Sequence, residues 1–144
     1  MDEERSLSAF LKENAKDKLP VFYVASTRYT GEDGEPELWE LRCLTNDEVE
    51  ELTKKNTKNI PVKGTREVNK IFNREQFAID MTLRSVMHPN LHAEVLQSSY
   101  GVVGAEALLK TMLTPGELTD LILAVNEAND FKAGMDDKIK KAKN

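Results

Sequence analysis

HPNLHAEVLQSSYGVVGAEALLKTMLTPGELTDLILAVNEANDF, residues 88–131, is the stretch whose periodicity decides the fold. Ala105, Leu108, Leu109, Met112 and Leu113 recur at i, i+3, i+4, i+7 and i+8, an apolar stripe at helical period. Thr114 opens another helix. Its hydroxyl can accept from the backbone N–H of Glu117, and Glu117 can reach back to the N–H of Thr114, which is a capping box. Pro115 takes the first helical position, where a missing N–H costs nothing. Leu118, Leu121, Ile122 and Val125 continue the periodicity. Upstream, Leu91, Val95 and Leu96 predict a shorter helix that stops near Tyr100-Gly101, with Gly101 as a left-handed C-cap. Gly104 can start the following helix without a side chain in the way. Three helices with such short links fold back on one another, and stripes this wide bury against the rest of the chain or against a partner.

Working outward, Arg74–Met87 reads as a longer helix that could begin at Glu67. Ala78, Ile79, Thr82, Leu83 and Val86 form its stripe, preceded by Val68, Ile71 and Phe72, and His88-Pro89 stops it. Residues 59–65, with Pro61 and Gly64, are the best linker or mobile loop. Thr45 opens a helix with a second capping box, Thr45 to Glu48. Acids fill its first turns and Lys54, Lys55 and Lys58 its last, which suits the helix dipole. Glu50–Lys54 and Glu51–Lys55 form i,i+4 pairs. Only Val49 and Leu52 are apolar, so this helix lies on the surface with a solvated face. Val21–Tyr29 and Glu37–Leu44 read as two strands around the Asp33-Gly34 turn, with Trp39, Leu41 and Cys43 on one face. Two strands are marginal alone, so the hairpin needs the helices, or another copy of itself, on one face. Ser6–Lys16 reads as a short amphipathic helix, with Leu7, Phe10 and Leu11 on the side that covers the sheet or docks elsewhere.

At 144 residues the chain has the length of one domain with tails. The expected fold is α+β and mainly helical, an N-terminal β-hairpin packed with a C-terminal helical bundle. Residues 1–131 form the domain: 1–60 hold the first helix, hairpin and surface helix, and 66–131 the bundle. Residues 132–144 are a flexible lysine-rich tail. The single Cys43 excludes an internal disulfide and points to a reducing setting. The N-terminus lacks the pattern of a signal peptide, and no apolar run approaches membrane-spanning length. Net charge is −5, with eight acids against three bases over residues 71–131. That acidic body repels phosphates, so nucleic acid is not an expected partner.

Candidate reaction sites are thin. His88 and His92 stand at i,i+4 with Glu94 nearby, but Pro89 interrupts the helix such a zinc pair needs. Gly101-Val102-Val103-Gly104 lacks the Lys-Ser/Thr pair and preceding strand of a phosphate loop. Ser98, Ser99 and Tyr100 near His92 lack an oxyanion element. We therefore expect no catalytic residue, cofactor or metal. The stripes of the last two helices have two readings, core or a groove for a helical partner, with Met112 as an adaptable contact.

The runs Val86-Met87-His88-Pro89-Asn90-Leu91, Leu96-Gln97-Ser98-Ser99-Tyr100-Gly101-Val102-Val103-Gly104-Ala105-Glu106 and Met112-Leu113-Thr114-Pro115-Gly116-Glu117, followed by Val125, Glu127, Asn129 and Phe131, resemble a known family. They are similar to the XkdN-like tail assembly chaperones of phages and prophages of Gram-positive bacteria. His88 and Thr114 depart from residues common there, Tyr and an apolar residue. The resemblance implies a non-enzymatic protein that binds and solubilises the tape-measure protein and helps recruit tail-tube subunits. It implies action in the bacterial cytoplasm and absence from the mature virion. From that role we expect self-association, because a short chain covers a long client by repetition. The alternative is a structural tail or connector component. Partner contacts are expected around Gly104 and Pro115, at Tyr100, Val103, Leu108, Met112, Leu113 and Leu118.

Overall fold

A computed structural model describes residues 5–131. The lysine-rich segment 132–144 lies outside the described residues. The order is β1 (Val21–Tyr23), β2 (Trp39–Leu41), α1 (Asn46–Lys55), β3 (Thr57–Pro61), β4 (Val68–Phe72), α2 (Arg74–Ser85), β5 (Val86–His88), α3 (Glu94–Ser99), α4 (Ala105–Met112) and α5 (Pro115–Ala128). This is an α+β fold.

The helices follow their signals closely. Both capping boxes are formed: Thr45 Oγ1 accepts from the Glu48 N–H and Thr114 Oγ1 from the Glu117 N–H, while each glutamate returns to its threonine's N–H. Gly101 and Gly104 have φ of 65° and 99°, so the α3–α4 link uses the left-handed backbone that glycine adopts without strain. Helix α5 ends in a Schellman motif. The N–H of Phe131 donates to Asn126 O and that of Asp130 to Glu127 O, with Asp130 at φ 61° in the position usually held by glycine.

The strands depart from expectation in three places. First, the β1–β2 hairpin is antiparallel, with Tyr23 opposite Trp39, but each strand is only three residues long. Its alternation holds as far as Leu41, with Trp39 and Leu41 buried and Leu38 exposed; beyond the strand's end it fails, since Cys43 is half-buried and Leu44, expected on the outer face, is in the core. Second, the expected end of the long helix is a strand. Helix α2 stops at Ser85, and Val86–His88 pairs antiparallel with β2, making the sheet order β1-β2-β5. Val86 satisfies either period, since its burial is needed at a helix stripe and at a strand's inner face alike. The hairpin is thus not a separate N-terminal layer against a C-terminal bundle. Its third strand comes from between α2 and α3. Third, the supposed linker, 59–65, is the end of one strand and the turn of a second hairpin, β3–β4, with Thr57 opposite Phe72 and Pro61 opposite Val68. Gly64 takes φ 82° in its turn. Val68 and Phe72 are spaced for one helix face, but the same spacing puts them on one face of a strand.

The N-terminal amphipathic helix does not form. A single 3-10 turn spans Ser8–Phe10, and Leu7 and Phe10 are exposed, so this arm covers no part of the sheet. Helix α1 does lie at the surface, but Leu52 is fully buried and Val49 packs on the core. Its expected i,i+4 pairs give way to longer-range ones: Glu51 accepts from Arg84 at 3.3 Å, and Lys55 meets Asp80 at 3.2 Å.

One apolar cluster joins the sheet to the helices. It holds Trp39 and Leu41 from β2, Leu52 from α1, Met81 from α2, Leu108 and Leu109 from α4, and Leu121 and Val125 from α5. Helix α2 runs through its middle and touches α1, α4, α5 and β5.

Candidate docking surface on the α3–α5 layer

The α4–α5 junction is held by the loop that follows β1. The last carbonyls of α4 have no partner within the helix. Met112 O accepts from Arg28 Nη2 at 2.7 Å and also from the Tyr29 hydroxyl. The same guanidinium donates to Glu117 Oε1 at 2.8 Å. Glu117 therefore caps α5 and ties it to the N-terminal half of the chain. The Ser26 hydroxyl, the Thr114 N–H and Arg28 together hold its carboxyl down at about 2. Burial, and after it the nearby Tyr100, raises the pKa of Tyr29.

A second polar seam joins α1, α2 and α4. Gln76 Nε2 donates to Asp80 Oδ1 at 3.0 Å and to Glu106 Oε1 at 2.7 Å. Asn56 Nδ2 and Lys55 complete Asp80, and Lys110 completes Glu106 at 2.9 Å. Burial pushes the Asp80 carboxyl up, but Asn56, Gln76 and Lys55 outweigh it, and the net shift is downward. Glu106 is also lowered, first by Gln76 and then by Lys110. A third seam centres on Asn129, whose Oδ1 accepts the Leu44 N–H at 2.6 Å and whose Nδ2 donates to Val125 O and Ser85 Oγ.

The six residues expected to meet a partner divide by accessibility. Leu108 is 0% exposed, Met112 4% and Leu113 5%, so all three lie in the core cluster. Tyr100 and Leu118 are half-buried and pack on its rim. Val103 is 92% exposed, held out between the two left-handed glycines. The core side of the α4 and α5 stripes thus faces the rest of the chain. The accessible apolar side chains of this layer are Val103, Val95 on α3 and Leu123 on α5. Val95 counted toward a buried stripe in the sequence. A six-residue helix, however, turns only part of its circumference inward, and Leu96 takes that side.

His88 and His92 are not brought to a common site. His88 Nε2 lies 3.4 Å from Glu37 Oε1, whereas His92 lines an open cleft with Arg42, Asp80 and Arg84. Among the described residues no group of three or more His, Cys, Asp or Glu is placed to share a metal ion. No helix among them is long and apolar enough to cross a membrane.

Fold and surface together define a small α+β protein whose distinctive residues fix helix ends and leave Val95, Val103 and Leu123 accessible. The chain belongs to the family described as phage XkdN-like tail assembly chaperone protein, whose sequence model matches residues 7–143. Two relatives come from Bacillus subtilis strain 168. The uncharacterized protein YqbN is 24% identical over 139 residues, covering 96% of this chain and 93% of YqbN. Protein XkdN of the phage-like element PBSX is 26% identical over 128 residues, covering 88% of this chain and 83% of XkdN. The crystal structure of YqbN superposes with a TM-score of 0.73 at 20% identity, covering 90% of this chain and all of that one. That likeness speaks for the fold. Gly101, Gly104, Glu106, Glu117 and Asn129, five of the residues on which the family resemblance is read, take part in the turns and seams described above.

Proposed function

We propose that this protein is a non-catalytic chaperone of tail assembly that binds the tape-measure protein, keeps it soluble, and helps bring tail-tube subunits to it. Family membership supplies the process. The observation that carries the client-binding reading is the exposure of Val95, Val103 and Leu123 on elements whose other apolar side chains are packed in the core. Exposed apolar side chains on a rigid scaffold suit transient capture of apolar segments of a long client. Tyr100 and Leu118, half-buried on the edge of the core, are proposed to add to that contact, and Leu108, Met112 and Leu113 to act on it through the core cluster they belong to.

The role places the protein in the host cytoplasm and outside the finished particle. Quantitative mass spectrometry of assembling and mature particles tests this. The chaperone reading predicts its presence in assembly intermediates and its absence from purified virions. A fixed stoichiometric amount in virions would establish the structural-component reading instead.

A further inference from the structure

The β3–β4 ribbon contributes no buried side chain, and its charge is opposite to that of the chain. Every residue of β4 is exposed, as are the last four of β3. Residues 54–74 carry seven bases against one acid, Glu67, in a chain of net charge −5. Of the four bases on the ribbon itself, Lys58, Lys63, Arg66 and Lys70, none forms an ion pair among the described residues. The cross-strand register puts Lys58 opposite Ile71 and Ile60 opposite Asn69. These four therefore share one face, where Ile60 and Ile71 are 45% and 52% exposed. An open cleft of about 520 Å³ adjoins that face, lined by Lys58 and Ile71 together with Lys55, which also pairs with Asp80, and Arg74 and Glu75.

The β1–β2 hairpin buries Trp39 and Leu41 on its inner face, but its turn and outer face carry the opposite charge. Residues 30–40 hold five acids, Glu32, Asp33, Glu35, Glu37 and Glu40, and no base. Among the described residues only Glu37 lies within ion-pair distance of a basic side chain, His88 Nε2 at 3.4 Å. The register that sets Tyr23 opposite Trp39 leaves Phe22 paired with Glu40 on the outer face, and Phe22 and the adjacent Leu38 are exposed. No ion pair joins this hairpin to the ribbon within the chain, among the described residues.

We propose that the basic β3–β4 ribbon of one copy docks onto the acidic β1–β2 hairpin of a second copy of this chain. Charge complementarity selects the occupant, because both halves of the contact, each with exposed apolar side chains among like charges, are present in the same molecule. The two patches differ, so the contact is head-to-tail, and copies add in a ring or an open row. The proposal deepens the chaperone reading, which calls for repeated copies along a long client, and rests on it for its purpose only.

Sedimentation velocity of the purified protein alone tests it. The expected result is concentration-dependent association at low salt that weakens about tenfold or more as screening shortens the reach of the charges. A ribbon reversal (Lys58→Glu, Lys63→Glu, Lys70→Glu) and a hairpin reversal (Glu32→Lys, Asp33→Lys, Glu35→Lys) should each be monomeric. All six side chains are exposed, so both variants should keep the wild-type circular dichroism. An equimolar mixture of the two should associate again, because each supplies the patch the other lost. A wild-type protein that stays monomeric at low salt overturns the proposal, as does a mixture that fails to associate. So does a ribbon reversal whose sole effect is to release co-purifying nucleic acid. Because no client is present, any of these failures leaves client binding by the chaperone untouched.

Discussion

Asn129 stands where α5 ends, and its carboxamide reaches back to the start of α1 and the end of α2. Removing it leaves the Leu44 N–H and Ser85 Oγ without their partner in a half-buried setting. A buried donor left unsatisfied costs about 1–3 kcal/mol. Asn129→Ala is therefore expected to lower stability by roughly 2 kcal/mol in a urea titration, with little change in the dependence on denaturant. One residue further, Asp130 holds φ 61°, and its carboxylate lies at the negative end of a helix dipole. Asp130→Gly should raise stability by about 0.5–1 kcal/mol, because glycine takes this backbone freely. A loss of stability would show that the Lys18–Asp130 pair, at 3.1 Å between exposed side chains, matters more than such pairs usually do. Neither role is legible locally. The sequence places Asn129 in a family pattern, but its partners lie 85 and 44 residues away.

At the scale of elements, α5 carries both a capping box and an apolar period and is the most fully readable; α1 is read from its capping box and charge order, α4 from its period alone, and α2 from its period as far as Ser85. Elsewhere the reading slips. Strand β5 is three residues long, too short for a period, and the β3–β4 ribbon spaces its apolar residues as a helix would. The N-terminal arm has helical spacing but nothing to bury its apolar side against. The charge count over residues 54–74 was the available clue to the ribbon, since a basic run in an acidic chain marks a separate surface. The candidate site was half legible, because helical period locates a stripe but cannot say which side faces solvent. The two caps also make a pH prediction. Glu48 is held at about 2, chiefly by the Arg42 guanidinium, and Glu117 at about 2. Both lie below the ordinary glutamate value of 4.5, so the folded state binds these protons less readily than the unfolded one. Their contribution is fully present above pH 4.5 and is lost as pH falls from there towards 2. The thermal midpoint should drop across that window, and Glu48→Gln with Glu117→Gln should flatten the drop. An equally steep loss in the double variant would assign the acid sensitivity to other carboxylates. Replacing residues 59–70 with a short turn should leave α-helical circular dichroism intact, because the excised segment supplies nothing to the core.

For the molecule as a whole, one cluster links residues from Ala25 to Ala128, so no half of the described chain has a core of its own. Unfolding should be a single cooperative transition. Trp39, the one tryptophan, is buried in that cluster and reports on it. Its fluorescence and the far-ultraviolet circular dichroism should therefore trace the same denaturation curve. An earlier loss of either signal would divide the molecule into separately folding parts. The central claim is that exposed apolar side chains on this body capture an assembly client. Co-expression with the tape-measure protein of the same gene cluster, followed by pull-down and measurement of the soluble client, tests it most directly. The account predicts a soluble complex with the wild type. It predicts a loss of retention by about tenfold with Val103→Asp, which changes an accessible side chain and should keep the native melting curve. A client that stays insoluble beside the folded wild-type protein would contradict the account. So would a client captured equally well by Val103→Asp combined with Val95→Asp and Leu123→Asp.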